Sequence, residues 1–265
     1  MPEGHTIHRA ARDQTPMLRR KILAVSSPQG RFFEGAARLD GKRCMSVEAC
    51  GKHVFYRFAG GDTLHIHLGL FGKFRAAARP AAEPRGAVRV RLESATHVVD
   101  CNGPTACEVL DAEGVAKLMA RLGPDILRDD ADPERAFARI RKSRAPIGQL
   151  VMDQKVIAGL GNIYRTEILW RQRIHPEREG RSLSQAELDA FWADAAALLR
   201  IGVEQRAIIT VDGASRGKSR YGARTNIFKK KTCPRCGGAI RQLAMAGRKV
   251  FCCETCQQKE PCLPP

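Results

Sequence analysis

Four cysteines near the end of the chain, Cys233 and Cys236 followed by Cys253 and Cys256, are spaced as two C-x-x-C knuckles with sixteen residues between them. Each knuckle can turn two sulfurs onto one ion. Four thiolates complete a tetrahedral shell with no open position, which is the chemistry of one structural Zn2+ ion. Cys252 competes with Cys253 but leaves only three residues before Cys256, so Cys253 is the expected ligand, with Cys252 and Cys262 as bystanders. Between the knuckles, Ile240, Leu243, Val250 and Phe251 flank Ala246 and Gly247, the pattern of a metal-clasped β-hairpin. Arg248 then stands beside the turn, where a guanidinium can grip a phosphate in bidentate fashion or serve as ordinary surface charge.

A second segment with chemical potential is Gly159-Leu160-Gly161-Asn162. Glycines ahead of a helix let backbone amides approach a phosphate, and the helix dipole adds attraction. The glycines alone are better explained by a tight turn between helices. Charge points the same way as the phosphate reading: 45 Lys and Arg against 28 Asp and Glu leave 45 − 28 = +17. A polyanion is the natural partner, and nucleic acid is favoured because basic side chains displace counterions condensed on its backbone. A membrane partner is disfavoured, since neither a long apolar run nor a basic amphipathic helix stands out. The start, MPEGHTIHRAARD, lacks the apolar centre of a secretory signal, and a cytoplasmic, nucleoid-associated location follows.

These residues need a frame. From residue 40 to about 110 the apolar positions alternate, as in Val54, Tyr56 and Phe58, then Leu64, Ile66 and Leu68, then Val88, Val90 and Leu92, with Gly60 and Gly61 as a hairpin turn. The spacing predicts strands stacked as a sandwich or barrel, preceded by a helix with Ile7, Ala10 and Ala11 on one side. Beyond residue 111 the period becomes helical: Val115, Leu118, Met119 and Leu122 form one stripe, Ala136, Phe137 and Ile140 another. Ser184 and Glu187 fit a capping box, followed by a buried face of Leu188, Phe191, Trp192, Ala195, Leu198 and Leu199. The segment from residue 213, rich in Gly, Ser, Arg and Lys, carries no stripe and reads as a loop.

Several stretches together resemble the formamidopyrimidine-DNA glycosylase and endonuclease VIII family: MPEGHTIHR, GKHVFYRF, HIHLGLFGKF, DQKVIAGLGNIYRTEILW and the four-cysteine finger, in the family's order along the whole chain. The resemblance implies an α+β multidomain protein. Its parts are an N-terminal catalytic β-sandwich over 1–112, a helix-two-turn-helix DNA-binding domain over 113–212, a basic loop over 213–228 and a zinc-finger β-hairpin over 229–265. It implies a monomer that acts on damaged double-stranded DNA without a small-molecule cofactor, in base excision repair.

The reaction so implied is base release and strand nicking by β,δ-elimination through a Schiff base on Pro2, exposed once Met1 is removed. An α-amine has a reference pKa of about 7.7–8.0, so a useful fraction is unprotonated near neutrality. By resemblance, Glu3 protonates and opens the sugar ring, Lys52 contacts phosphate and assists proton transfer, and Arg248 and Asn162 bind phosphates around the lesion. Leu70 and Phe71, between Gly69 and Gly72, resemble the apolar wedge that fills the gap left by an extruded nucleotide. Leu70 stands where the purine-excising branch has methionine, which favours the endonuclease VIII branch and oxidised pyrimidines, with oxidised purines as the alternative substrate. A non-catalytic zinc-finger DNA-binding protein of the same fold also explains the charge and the finger, but not the coexistence of Pro2, Glu3 and Lys52.

Overall fold

A computed structural model describes residues 2–215 and 222–259 of the chain. Met1, Cys262, the rest of the CLPP tail and the centre of the basic loop at 216–221 lie outside the described residues. The chain divides into two compact units, split between Arg121 and Leu122.

The first unit opens with helix α1 (Gly4–Leu18), whose buried Ile7, Ala10, Ala11, Gln14 and Leu18 recur at helical spacing. Gln14 is tolerated in that stripe because the buried Tyr56 hydroxyl donates to its Oε1. Strand β1 (Ala24–Ser26) and helix α2 (Phe33–Leu39) follow, then β2 (Cys44–Cys50), β3 (His53–Phe58), β4 (Thr63–His67), β5 (Lys73–Ala78), β6 (Val88–Glu93), β7 (His97–Asn102) and β8 (Ala106–Leu110). They form two antiparallel four-stranded sheets, ordered β2-β3-β4-β8 and β1-β6-β7-β5. Inward residues of both sheets, among them Val54, Tyr56, Leu64, Ile66, Val90, Leu92 and Val99, share one core with Ile7 and Leu18 of α1. The sandwich read from the alternating pattern is therefore present. Cys44 and Cys101 are members of this core. Burial pushes the Cys44 thiol up to about 12, so it packs as a small protonated hydrophobe. Helix α3 (Ala112–Arg121) follows β8 and packs on it.

The second unit is helical: α4 (Pro133–Arg141), the short α5 (Ile147–Leu150), α6 (Asn162–Arg171) and α7 (Gln185–Gln205), then the hairpin of β9 (Arg241–Met245) and β10 (Arg248–Cys252). Asp132 caps α4 ahead of Pro133. Ser184 and Glu187 form the reciprocal capping box at α7. Of the face read on α7, Trp192 is only half-buried and meets Phe137 edge-on, with centroids 6.0 Å apart. The core runs from Phe137, Ile157, Tyr164 and Phe191 into Ile227, Phe228, Cys233, Phe251 and Cys253, so helices and hairpin share one apolar interior.

Helix α6 departs from the one-sided pattern, since every residue from Asn162 to Trp170 is buried, Arg165 and Glu167 included. Each charge is surrounded by oppositely polarised groups. Arg165 donates to the carbonyls of Gly148 (3.0 Å) and Met245 (3.4 Å) and to Asn162 Oδ1. Glu167 accepts from the backbone amides of Asn226 (2.6 Å), Ile227 (2.9 Å) and Phe228 (2.7 Å) and from the Thr210 hydroxyl (2.6 Å). Its carboxylate thus pins both ends of the basic loop. Replacing Glu167 with Ala strands two buried backbone donors and one half-buried one, at about 1–3 kcal/mol for each buried group. Urea denaturation is expected to register a loss of about 3 kcal/mol or more.

Candidate active site and metal centre

In the first unit the chain start is fixed by α1. Glu3 is its N-cap, in extended conformation, with its carbonyl accepting from Thr6 N at 2.9 Å, while its side chain makes no capping hydrogen bond. That side chain is fully buried, next to a half-buried Pro2. Helix α1 packs against β2 and β3, which are joined by the two-residue turn Gly51-Lys52, with Gly51 at φ 57° as a tight hairpin requires. One rigid frame therefore carries Pro2, Glu3 and Lys52. His5, in the first turn of α1, is pushed down to about 3 by burial and by Arg9, so it stays neutral.

A histidine ladder that sequence reasoning missed stands on the strands beside Lys52. His65 Nδ1 lies 2.9 Å from Glu108 Oε1, and His65 Nε2 lies 2.8 Å from His53 Nδ1. A carboxylate can only accept, so His65 carries its proton on Nδ1 and its Nε2 accepts from His53 Nδ1–H. The His67 ring is 4.8 Å from that of His53. Burial, then His65, His67, Arg121 and Lys52, push His53 down to about 3. His65 and His67 are also lowered, chiefly by burial. Because the folded value lies below the unfolded 6.5, the unfolded chain binds the extra proton between these values, and stability falls as pH drops from 6.5 towards 3. Thermal melts across that range should show the decline, and His53→Gln should lessen its slope, with His5, His65 and His67 accounting for what remains.

Leu70 and Phe71 form the tip of the β4–β5 connection and are 46% and 89% exposed. The flanking glycines are required there. A Cβ on Gly69, at φ 65°, would lie 1.8 Å from Thr105 Oγ1, and one on Gly72 would lie 2.3 Å from the Leu68 carbonyl. The loop thus turns tightly and pushes two apolar side chains into solvent.

In the second unit, Asn162 opens α6 behind the N-cap Gly161. Its Nδ2 donates to the Lys249 carbonyl at 2.9 Å, and its Oδ1 accepts from Arg165, so Asn162 is tied to β10 next to Arg248. Arg248 is the first residue of β10, opposite Met245 across the turn Ala246-Gly247, whose φ values of 52° and 68° suit a tight hairpin. The sulfurs of Cys233, Cys236, Cys253 and Cys256 lie within 4.8 Å of one another. The Cys233–Cys256 and Cys236–Cys253 separations are 3.8 and 3.4 Å. A tetrahedral ion bound at about 2.3 Å needs sulfurs close to this spacing, so the four residues fit a metal. Trp170 Nε1 donates to Cys233 Sγ at 3.4 Å, an outer contact that steadies the ligand. Cys252 instead sits 3.9 Å from His175 Nε2, away from the cluster.

A profile of the formamidopyrimidine-DNA glycosylase N-terminal domain matches residues 1–105, and one of the formamidopyrimidine-DNA glycosylase H2TH domain matches residues 122–212. The chain is 46% identical to "Endonuclease 8 1" of Mycobacterium tuberculosis, across 97% of this chain and 100% of that protein. It is 32% identical to "Endonuclease 8" of Klebsiella pneumoniae over the same shares. Its fold matches that of a Lactococcus lactis formamidopyrimidine-DNA glycosylase crystallised with DNA containing N7-benzyl-Fapy-dG, with a TM-score of 0.79 and 25% identity, covering 97% of this chain and 100% of that one. Among the described residues no helix is long and apolar enough to cross a membrane. With both profiles in place, and with relatives aligned from end to end, the chain belongs to the formamidopyrimidine-DNA glycosylase and endonuclease VIII family of DNA-repair enzymes.

Proposed function

We propose that the protein removes oxidised bases, preferentially pyrimidines, from double-stranded DNA and then nicks the strand, using the amine of Pro2 as nucleophile. The observation that carries this reading is the placement of Pro2 at the N-terminal end of α1 beside the fully buried Glu3. The partial positive charge of a helix N-terminus favours the neutral, nucleophilic form of an amine. Attack by Pro2 on the anomeric carbon breaks its bond to the base, and Glu3 gives a proton to the ring oxygen as the sugar opens. The product is an iminium, since proline is a secondary amine. Its positive charge acidifies the neighbouring sugar C–H, whose removal expels the 3′ phosphate. Lys52, on the turn between β2 and β3, the strands that pack against α1, assists that proton transfer. Repetition on the other side completes the β,δ-sequence, with Arg248 and Asn162 holding phosphates.

The four thiolates hold one zinc ion, which supplies no reaction step and clasps the hairpin that presents Arg248. Phe71 and Leu70 enter the stack in place of the extruded nucleotide. Truncating both to Ala removes that filling, against an unstacking cost of a few kcal/mol. Excision should slow at least about tenfold, read by single-turnover kinetics on a lesion-bearing duplex. The pyrimidine preference rests on Leu70 and on the chain's likeness to endonuclease VIII relatives. It is tested by excision rates on matched duplexes carrying thymine glycol, dihydrouracil or 8-oxoguanine. Faster release of 8-oxoguanine than of either pyrimidine overturns it, and binding without release of any base favours the non-catalytic reading.

A further inference from the structure

We propose that the groove beside Phe71, lined by Lys73, Arg75 and Arg85, binds backbone phosphates of the undamaged DNA strand; this rests on the reading of the protein as a repair enzyme with Phe71 as its wedge. The groove has a volume of about 460 Å³ and is open to solvent, with Gly86, Ala87, Asn102 and Gly103 completing its lining. Lys73 and Arg75 begin β5 directly after the wedge loop and, two apart on a strand, share a face. Arg85 approaches from the segment before β6, its carbonyl held by Asn102 Nδ2 at 2.9 Å.

Charge compensation separates these three from Arg79 and Arg91. Elsewhere on this sheet Arg91 is paired with Asp100, and Arg79 faces Glu93 at 3.8 Å. Asp100 is the residue opposite Arg75 in register, yet both of its oxygens are taken by Arg91, at 2.7 and 2.9 Å. Among the described residues, Lys73, Arg75 and Arg85 have no ion pair, and all three are exposed. Three uncompensated cations therefore converge on one groove. Gly103, at φ 53°, has open space where a Cβ would stand, so a sugar-phosphate chain can come close to the backbone there.

Geometry selects the strand. A wedge that replaces an extruded nucleotide meets the base left behind on the other strand, and the groove continues from that wedge. Lys73 and Arg75 lie about 7 Å apart along the strand, while each DNA strand presents a phosphate every 3.4 Å or so of axis, so two phosphates of one strand are within reach. The lesion-strand phosphates already have Lys52, Asn162 and Arg248 as their proposed ligands.

The test is the affinity of the full chain for a duplex carrying a tetrahydrofuran abasic analogue, measured over a range of salt. Each neutralised phosphate contributes a slope of about −0.9 to log K against log salt, so K73A/R75A/R85A should flatten it by about 2–3. A charge-retaining K73R/R75K/R85K should keep the wild-type slope. Methylphosphonates placed opposite the lesion should weaken the wild-type protein and leave the alanine variant unaffected. An unchanged slope, equal loss in both variants, or a response confined to methylphosphonates on the lesion strand overturns the proposal. A wild-type protein that does not prefer the abasic duplex to intact DNA would instead sink the repair reading on which it rests.

Discussion

Borohydride added to the processed protein and a duplex with an abasic site will trap a covalent adduct, and an extension placed ahead of Pro2 will reduce trapping to background. The reason is that hydride reduces the iminium that only a free Pro2 amine can form, converting a transient bond into a permanent one. Pro2→Gly retains an amine but loses the secondary-amine character and the fixed backbone angle, so trapping should fall sharply without vanishing from binding assays. Because the nucleophile is the neutral amine, the trapping rate should climb with pH and level off at or below the reference range of an α-amine, about 7.7–8.0, since the helix terminus favours the neutral form. Glu3→Gln separates the steps: base release should drop about 10²–10⁴-fold, since an amide cannot donate the proton, while a preformed abasic site demands less of it. Mass spectrometry of the trapped peptide supplies the decisive reading, and an adduct on any lysine would refute the assignment.

Removing the metal should be nearly as damaging. The Cys233, Cys236, Cys253 and Cys256 sulfurs lie within 4.8 Å of one another, close enough to share one ion, and structural zinc contributes about 10–16 kcal/mol in small fingers. Chelation, or Cys236→Ser at the exposed ligand, should release the hairpin and with it Arg248 and the Lys249 carbonyl that anchors Asn162. Losing even one charged phosphate contact costs about 1.5–3 kcal/mol, so affinity for abasic DNA should fall at least about tenfold. Metal release measured with a chromogenic chelator, in parallel with binding, checks this. One zinc per chain lost together with affinity is the expected result, and full affinity after complete demetallation would contradict it.

Features that depend on near neighbours were readable from the chain alone. Alternation marked β3, β4 and β6, Ser184 and Glu187 marked the start of α7, and paired cysteines marked the finger. What escaped notice depends on register across long separations. His65 acquires its tautomer from Glu108, forty-three residues away and directly opposite in the β4–β8 ladder. Arg165 and Glu167 of α6 are charged, yet both are buried. Their burial follows from carbonyls and amides contributed by residues 148, 245 and 226–228, which no local period announces. The wedge loop sits between these cases: its glycines were visible, but the Thr105 side chain that makes Gly69 obligatory was not.

The shared interior of α6, α7 and the hairpin bears on how damage to the gene would be felt. Phe228, Cys233, Phe251 and Cys253 fill space among the helices as well as serving the finger. A stop codon ahead of residue 227 would therefore strip the helices of their apolar cover. The truncated product should aggregate or be degraded, leaving a cell without the protein instead of with a weakened form of it.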